Sequence, residues 1–384
     1  MRVGIVGAGI VGLAHAYAAF SRGHEVTLFE RNQRAEGASI RNFGMVWPIG
    51  QPTGIALQTA LESARIWKEL SAKAGFWLNP CGSIHLAHRQ DEWSVLEEFQ
   101  AQARNSGYDC KLLNREQTLK LTPAANPENL LGGLYSSTEL GVNPRNASHQ
   151  IANWLSSQPG ITIHFGVAAQ WIDLGANGPG IHYLQDGCQK KSFDLVVICT
   201  GTDFKALFPN QFNNSGIKPC KLQMLATIPQ KDGWRIGPHI ASGLTLRHYK
   251  NFQVCKSLAA LSQRIAAEEP RLDKYGIHVM ASQDDNGEVI LGDSHEYAEN
   301  IEPFDKLIID ELILTELRKI ITLPDWTICR RWHGIYAKHP DQYVYESSPM
   351  DRVHVCTGTG GSGMTMSFGI ADSFWNKITL GKTT

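Results

Sequence analysis

A strand-like run from Val3 to Val6 passes into Gly7-Ala8-Gly9-Ile10-Val11-Gly12, and a helix-compatible stretch from Leu13 to Arg22 follows. A second strand-like run, Val26 to Phe29, ends on Glu30 and Arg31. This order constrains the chain more than any other feature, because it is the βαβ unit that binds a dinucleotide and each part has a mechanical role. Gly7 permits the tight turn, Gly9 leaves room for a pyrophosphate against the backbone, and Gly12 lets helix and strand pack closely. Ile10 and Val11 open the helix, whose unpaired N–H groups and partial positive charge favour phosphate. Glu30 falls 18 residues beyond Gly12, where a carboxylate can accept hydrogen bonds from both adenosine ribose hydroxyls. One glycine motif among 36 glycines carries little. Flanked by both strands, the helix and the acid, it predicts an adenine dinucleotide site.

A length of 384 residues suits two domains or one large one. The 36 Lys and Arg nearly balance the 37 Asp and Glu, which argues against broad nucleic-acid or membrane binding while leaving room for a local basic pocket. The eight cysteines form no CxxC and no Cys–His cluster, so no metal site is expected. Several lie in apolar runs and read as buried free thiols of a reducing compartment. The apolar N-terminus is interrupted by glycines and His15, unlike a signal peptide. No run reaches the ~18 apolar residues of a membrane span. The expected location is the cytoplasm; the oligomeric state stays open.

Helical spacing places amphipathic helices over roughly 53–72, around Trp93 to Ala103, around Ala147 to Leu155, near 256–269 and through Ile309 to Ile320. Strands are expected at Ser83 to Ala87, Leu130 to Tyr135, Ile161 to Phe165, Asp194 to Thr200, Leu222 to Ile228, Phe252 to Cys255, Ile277 to Ala281 and Val289 to Leu291. A last strand, Arg352 to Thr357, runs into Gly358-Thr359-Gly360-Gly361-Ser362-Gly363 and a helix from Met364 and Thr365. Two glycine-rich strand-to-helix junctions at opposite ends imply a nucleotide domain that the chain leaves and re-enters. A second helix N-terminus also makes chemical sense beside a flavin, whose reduced form is an anion.

Together these motifs resemble the D-amino-acid, glycine and sarcosine oxidase family of FAD-dependent oxidoreductases. Residues Ala38-Ser39-Ile40-Arg41-Asn42-Phe43-Gly44 resemble its loop along the flavin and pyrophosphate. Gly141-Val142-Asn143-Pro144 resembles its re-entry signature. Val167-Ala168-Ala169 resembles its adenine-contacting strand, Asp194 to Thr200-Gly201 its buried strand before the cofactor, and 358–369 its closing flavin loop. The resemblance implies an α/β (α+β overall) fold: a Rossmann-like FAD-binding domain from 1–75, 141–210 and 325–384, and an antiparallel-sheet substrate domain from 76–140 and 211–324. More narrowly, Asn42 to Pro52, Gly243 to Tyr249, Gly292 to Tyr297 and Arg331 to Tyr336 resemble a bacterial subgroup associated with aminophosphonate breakdown.

Two departures from the family pattern carry information. Covalent sarcosine oxidases place a cysteine where this chain has Gly334, so the resemblance implies non-covalent FAD. Glycine-oxidase-like members place a carboxylate-binding arginine where this chain has Tyr336, which cannot form a bidentate cationic clamp. Arg247 and His248, expected in the substrate-domain sheet, and Arg331 and His333 beside Tyr336 then become candidates for holding a phosphonate. Tyr249, His295, Trp47 and Gln51 are expected around the same pocket.

The implied activity is oxidation of a small amine: hydride passes from the carbon bearing nitrogen to FAD, and the imine hydrolyses to a carbonyl compound. Oxygen or another electron carrier completes the cycle. Three alternatives stay open. A nicotinamide dehydrogenase explains the first loop but not 38–44 or 358–363. A flavoenzyme of the same family with other specificity, either an amino-acid oxidase acting on glycine, sarcosine or a D-amino acid or a dehydrogenase using a carrier other than oxygen, shares every motif. A non-catalytic flavoprotein would bind FAD without turnover.

Overall fold

In the computed structural model, which describes residues 1–103 and 105–381, the opening strand Arg2–Val6 lies inside a six-stranded sheet. Its order is Tyr345–Met350, Val353–Thr357, Leu195–Ile198, Arg2–Val6, Glu25–Glu30, Ile161–Phe165. The edge strand Tyr345–Met350 runs antiparallel; the other pairings are parallel. Parallel strands must be covered on both faces, and side chains alternate between faces. Val3, Ile5 and Val197 accordingly pack with Leu13, Trp67 and Phe368 from the helices Ile10–Phe20, Ile55–Ala74 and Gly363–Thr379. Val6, Phe29, Val196 and Ile198 face Ile181 and Phe193, on and beside an antiparallel three-stranded sheet, Ala169–Gly175, Gly178–Leu184 and Cys188–Ser192.

The second large sheet has nine strands. Lys218–Thr227 is its spine, paired antiparallel with Val289–Gly292, Glu296–Tyr297 and Ile328–Lys338. The sheet continues through Met280–Gln283, His239–Ala241, Ser83–Ala87, Gly132–Ser136 and Cys110–Asn114. Antiparallel pairing prevails, but His239–Ala241 runs parallel to Ser83–Ala87. The helices Gln90–Ala103, Leu258–Glu268 and Leu307–Ile320 supply Phe99, Leu261 and Leu317 to its core.

Several expectations need correction. Phe252 to Cys255 is not a strand; Lys250–Val254 is a 3₁₀ turn, closed by Phe252 N–H to Tyr249 O (3.3 Å) and Cys255 N–H to Phe252 O (2.9 Å). Phe252 is buried against Phe99 and His85 while Val254 is exposed. Arg247 and His248 do not lie in the sheet. They follow the helical turn Gly243–Leu246, pinned by the Thr245 hydroxyl donating to Val279 O at 3.0 Å. The strand expected at Ile277 begins at Met280, because His278 instead exchanges backbone hydrogen bonds with Asp293. Ile328–Lys338, assigned to the nucleotide side of a boundary at 325, pairs along its length with Lys218–Thr227 of the larger sheet. Its far end, Lys338, bridges to Thr359 in the closing glycine loop, so one strand carries Tyr336 from the larger sheet to that loop.

Candidate active site

Elementary sterics set the first loop. Gly7 has φ +101° and a Cβ there would lie 2.4 Å from Cys199 O. A Cβ on Gly12 would lie 1.8 Å from Gly7 O, the close helix–strand approach the sequence implies. At Gly9 a Cβ meets only Ser39 Oγ, at 3.1 Å, so this glycine opens space instead of closing it. Ser39 Oγ accepts the Ile10 N–H at 2.8 Å. Glu30 is buried at the strand end; its carboxylate accepts the Ala8 N–H (2.8 Å) and the Asn32 N–H (3.0 Å).

These groups border a cavity of about 670 Å³ that runs from the first loop to the second sheet. Gly7, Gly9, Ile10, Val11, Glu30 and Arg31 line it. So do Ser39, Arg41, Asn42, Phe43, Ala169, Thr200 and Gly201, and then Gly358, Gly361, Ser362, Gly363 and Met364. Gly12, Gly44 and Thr365 do not line it; the two glycines act through close backbone approach and Thr365 through its hydroxyl. A Cβ on Gly44 would fall 2.0 Å from Val142 O, and Thr365 Oγ1 accepts the Trp47 N–H at 2.9 Å. Asn42 braces its own loop, donating to Ala38 O and Ser39 O and accepting the Gly44 N–H. Arg31 is paired with Asp203 at 2.6 Å.

At the other end, Tyr336, His248, Tyr249, His295 and Gln51 line the same cavity. Gln51 Nε2 donates to Ser362 Oγ at 3.3 Å. A Cβ on Gly361 would sit 3.8 Å from the Tyr336 ring, in ordinary contact, so Tyr336 lies beside the closing loop and the start of the helix Gly363–Thr379. Burial, with Cys220 and Tyr297 nearby, keeps the Tyr336 phenol far above its ordinary pKa and therefore protonated. Trp47 lies behind this wall, packed against His85, His239 and Tyr249.

The two arginines do not converge on the cavity. Arg247 donates to Asp273 at 2.7 Å and Arg331 to Asp310 at 3.1 Å, and His333 Nδ1 meets Asp305 at 2.9 Å. Arg331 points away because alternation on Ile328–Lys338 puts it on one face with His333. Arg247 borders a neighbouring cavity of about 690 Å³. The residues common to both cavities are His248, His278, His295 and Lys338. Of these, His278 and Lys338 were not singled out from sequence. Lys338 had a signal, being two residues beyond Tyr336 on a strand and hence on its face. His278 had none.

The three imidazoles are packed together, with ring centroids 3.9 Å (His248–His278), 4.4 Å (His248–His295) and 4.6 Å (His278–His295) apart. Burial, then neighbouring cations and one another's charge, holds them neutral: His248 and His278 well below 6.5 and His295 at about 3. Lys338 is lowered, first by burial, and donates to Tyr297 Oη at 3.1 Å.

A glycine-rich βαβ junction with its acid, and a second glycine-rich helix start at the opposite end of one long cavity, define a dinucleotide-dependent oxidoreductase. The FAD-dependent oxidoreductase family matches residues 2–374, and the chain belongs to it; FAD is the dinucleotide. The tRNA 5-methylaminomethyl-2-thiouridine biosynthesis bifunctional protein MnmC of Saccharophagus degradans is 27% identical over 214 residues, 53% of this chain and 29% of that protein. The chain thus spans under a third of that relative. D-amino acid dehydrogenase 2 of Mesorhizobium japonicum is 24% identical over 291 residues, 60% of this chain and 68% of the relative. Glycine oxidase from Bacillus cereus superimposes with a TM-score of 0.77 at 18% identity, covering 100% of this chain and 96% of that one, a likeness of fold.

The residues present fit FAD. The open face of Gly9 and the start of the helix Ile10–Phe20 suit the pyrophosphate. Glu30, fixed by two backbone donors, keeps lone pairs for the ribose. The 358–364 loop suits the flavin end. Among the described residues no helix is long and apolar enough to cross a membrane.

Proposed function

We propose that this chain oxidises the carbon–nitrogen bond of a small amine. The observation that carries the reading is the chemistry of the cavity end opposite Glu30: neutral imidazoles and protonated phenols, with no carboxylate–arginine clamp. An amine reaches this wall largely as its ammonium ion and must lose a proton before it can give up electrons. Burial keeps His248 uncharged, so the amine sheds its proton to water, and the neutral imidazole borders the cavity as a polar wall without added positive charge. Tyr336 and Tyr249 are suited to orient the amine as donors and apolar walls. Bound FAD supplies the chemistry of taking up the two electrons. Water then converts the imine to an aldehyde or ketone plus ammonia or a smaller amine. The names of two of the similar proteins, D-amino acid dehydrogenase 2 and glycine oxidase, support an amine or amino-acid substrate.

The finer reading is an aminoalkylphosphonate. Its support is the subgroup resemblance, Tyr336 in place of a carboxylate-binding arginine, and Lys338 as a cation on the cavity wall with no carboxylate partner among the described residues. The anionic end would then meet Lys338 and the histidine wall, not Arg247 and Arg331. The eight free thiols support a reducing compartment such as the cytoplasm. Product analysis tests the proposal: one carbonyl product and one ammonia or amine per substrate, with peroxide formed only if oxygen is the acceptor. Turnover of an alcohol with no amine consumed would overturn it.

A further inference from the structure

The histidine wall holds buried atoms that the proposed amine chemistry does not satisfy. His278 is 4% exposed and Asp293 5%, yet neither ring nitrogen of His278 nor Oδ1 of Asp293 has a hydrogen-bond partner. His278 Nε2 and Asp293 Oδ1 are 3.1 Å apart without hydrogen-bond alignment. Leaving such groups unsatisfied costs about 1–3 kcal/mol each, more if charged. Buried carboxylates are ordinarily paired or bound to a metal. Each of His248, His278 and His295 offers one nitrogen, and the three lie within 4.8 Å of one another.

We propose that His248, His278 and His295 form a binding site for a divalent transition ion of the zinc class, set in the wall between the two cavities, with Asp293 beside it at 3.1 Å from His278 Nε2. Three imidazole nitrogens with an open fourth position are a donor set such ions take. His295 is already oriented for it: Nδ1 lies 3.2 Å from Gly276 O, so as the N–H tautomer it donates there and leaves Nε2 as a lone pair. The backbones are fixed. His278 and Asp293 exchange two hydrogen bonds, 3.2 and 2.9 Å, and His295 N–H donates to Tyr275 O at 2.9 Å. Tetrahedral bonds of about 2.0–2.1 Å put ligand atoms roughly 3.4 Å apart, so binding brings the three nitrogens together while the rings, now stacked, turn away from one another by side-chain rotation over an unchanged backbone. Asp293, beside the three nitrogens, is placed to offset part of the charge the ion brings near Lys338. The second cavity gives it a path in.

The test uses the FAD-loaded protein without substrate, so it stands or falls apart from the amine reading. Zn²⁺ is added, excess is removed by dialysis, and the zinc-to-flavin ratio is measured. One zinc per flavin is expected in the wild type, with affinity reduced more than roughly 100-fold in His278→Ala and in His295→Ala. Co²⁺ bound to the wild type should show the intense ligand-field bands of a four-coordinate site beyond the flavin absorption, which needs no variant to fold. No retained zinc, equal retention by flavin-loaded variants, or only the weak spectrum of hydrated Co²⁺ would overturn the proposal.

Discussion

The carboxylate of Glu30 accepts the backbone N–H of Ala8 at 2.8 Å. That one bond ties the end of the second strand to the glycine loop before the first helix. Glu30 therefore shapes the loop, and we propose that it also accepts the ribose hydroxyls of FAD. Glu30→Ala removes the acceptor for Ala8 and Asn32 N–H together, and bonds to a charged acceptor are worth about 1.5–3 kcal/mol each. The variant should purify with FAD depleted and bind added FAD at least roughly tenfold more weakly, read by quenching of flavin fluorescence. Unchanged flavin content would remove Glu30 from the cofactor site.

Gly9 and Gly12 separate cofactor binding from folding. A Cβ on Gly12 collides with Gly7 O at 1.8 Å, whereas one on Gly9 meets only Ser39 Oγ. Gly12→Ala should lower thermal stability even without flavin. Gly9→Val should give folded, colourless protein, its side chain filling the pyrophosphate space. Circular dichroism melts with flavin absorbance check both. A yellow, active Gly9→Val enzyme would mean the phosphates lie elsewhere.

The flavin should be held without a covalent bond. Gly334 lines the cavity at the position where the resemblance to covalent sarcosine oxidases implies a linking cysteine, and a Cβ there would be 3.0 Å from Arg41 O. Acid precipitation should leave the yellow colour in the supernatant. Colour in the pellet would show a linkage through another side chain.

The nucleotide half of this protein was legible because its constraints are local. Glycines at fixed spacing, apolar runs and one acid reveal the Rossmann unit without any knowledge of the rest. The substrate half was less legible, since its pocket is assembled by long-range pairing. Arg247 and Arg331 sit next to pocket residues in sequence, yet a helical turn and strand alternation carry them to Asp273 and Asp310. His278 and Asp293 come together only through backbone pairing beyond the strands Met280–Gln283 and Val289–Gly292, which no periodicity announces.

Acid should destabilise the fold well above the usual carboxylate range. Burial holds His15, His85 and His295 at about 3, whereas each protonates near 6.5 when unfolded. Between those values the unfolded chain binds more protons, so stability falls as pH falls, by up to about 1.4 kcal/mol per pH unit for each histidine. The melting temperature should drop between about pH 7 and 5. His85→Leu should flatten that drop by one histidine's share, because neither His85 nitrogen has a partner to lose. An unchanged slope in His85→Leu would contradict the buried neutral state.

The central claim is that FAD in this cavity takes electrons from a carbon–nitrogen bond. Anaerobic mixing of the yellow protein with small amines, amino acids, N-methyl amines and aminoalkylphosphonates, followed by flavin absorbance, tests it most directly. At least one amine should bleach the flavin in a single turnover, and the most effective one identifies the substrate class. If no amine bleaches it, while a hydroxy compound such as glycerol phosphate does, the account of this site as an amine-oxidising centre is contradicted.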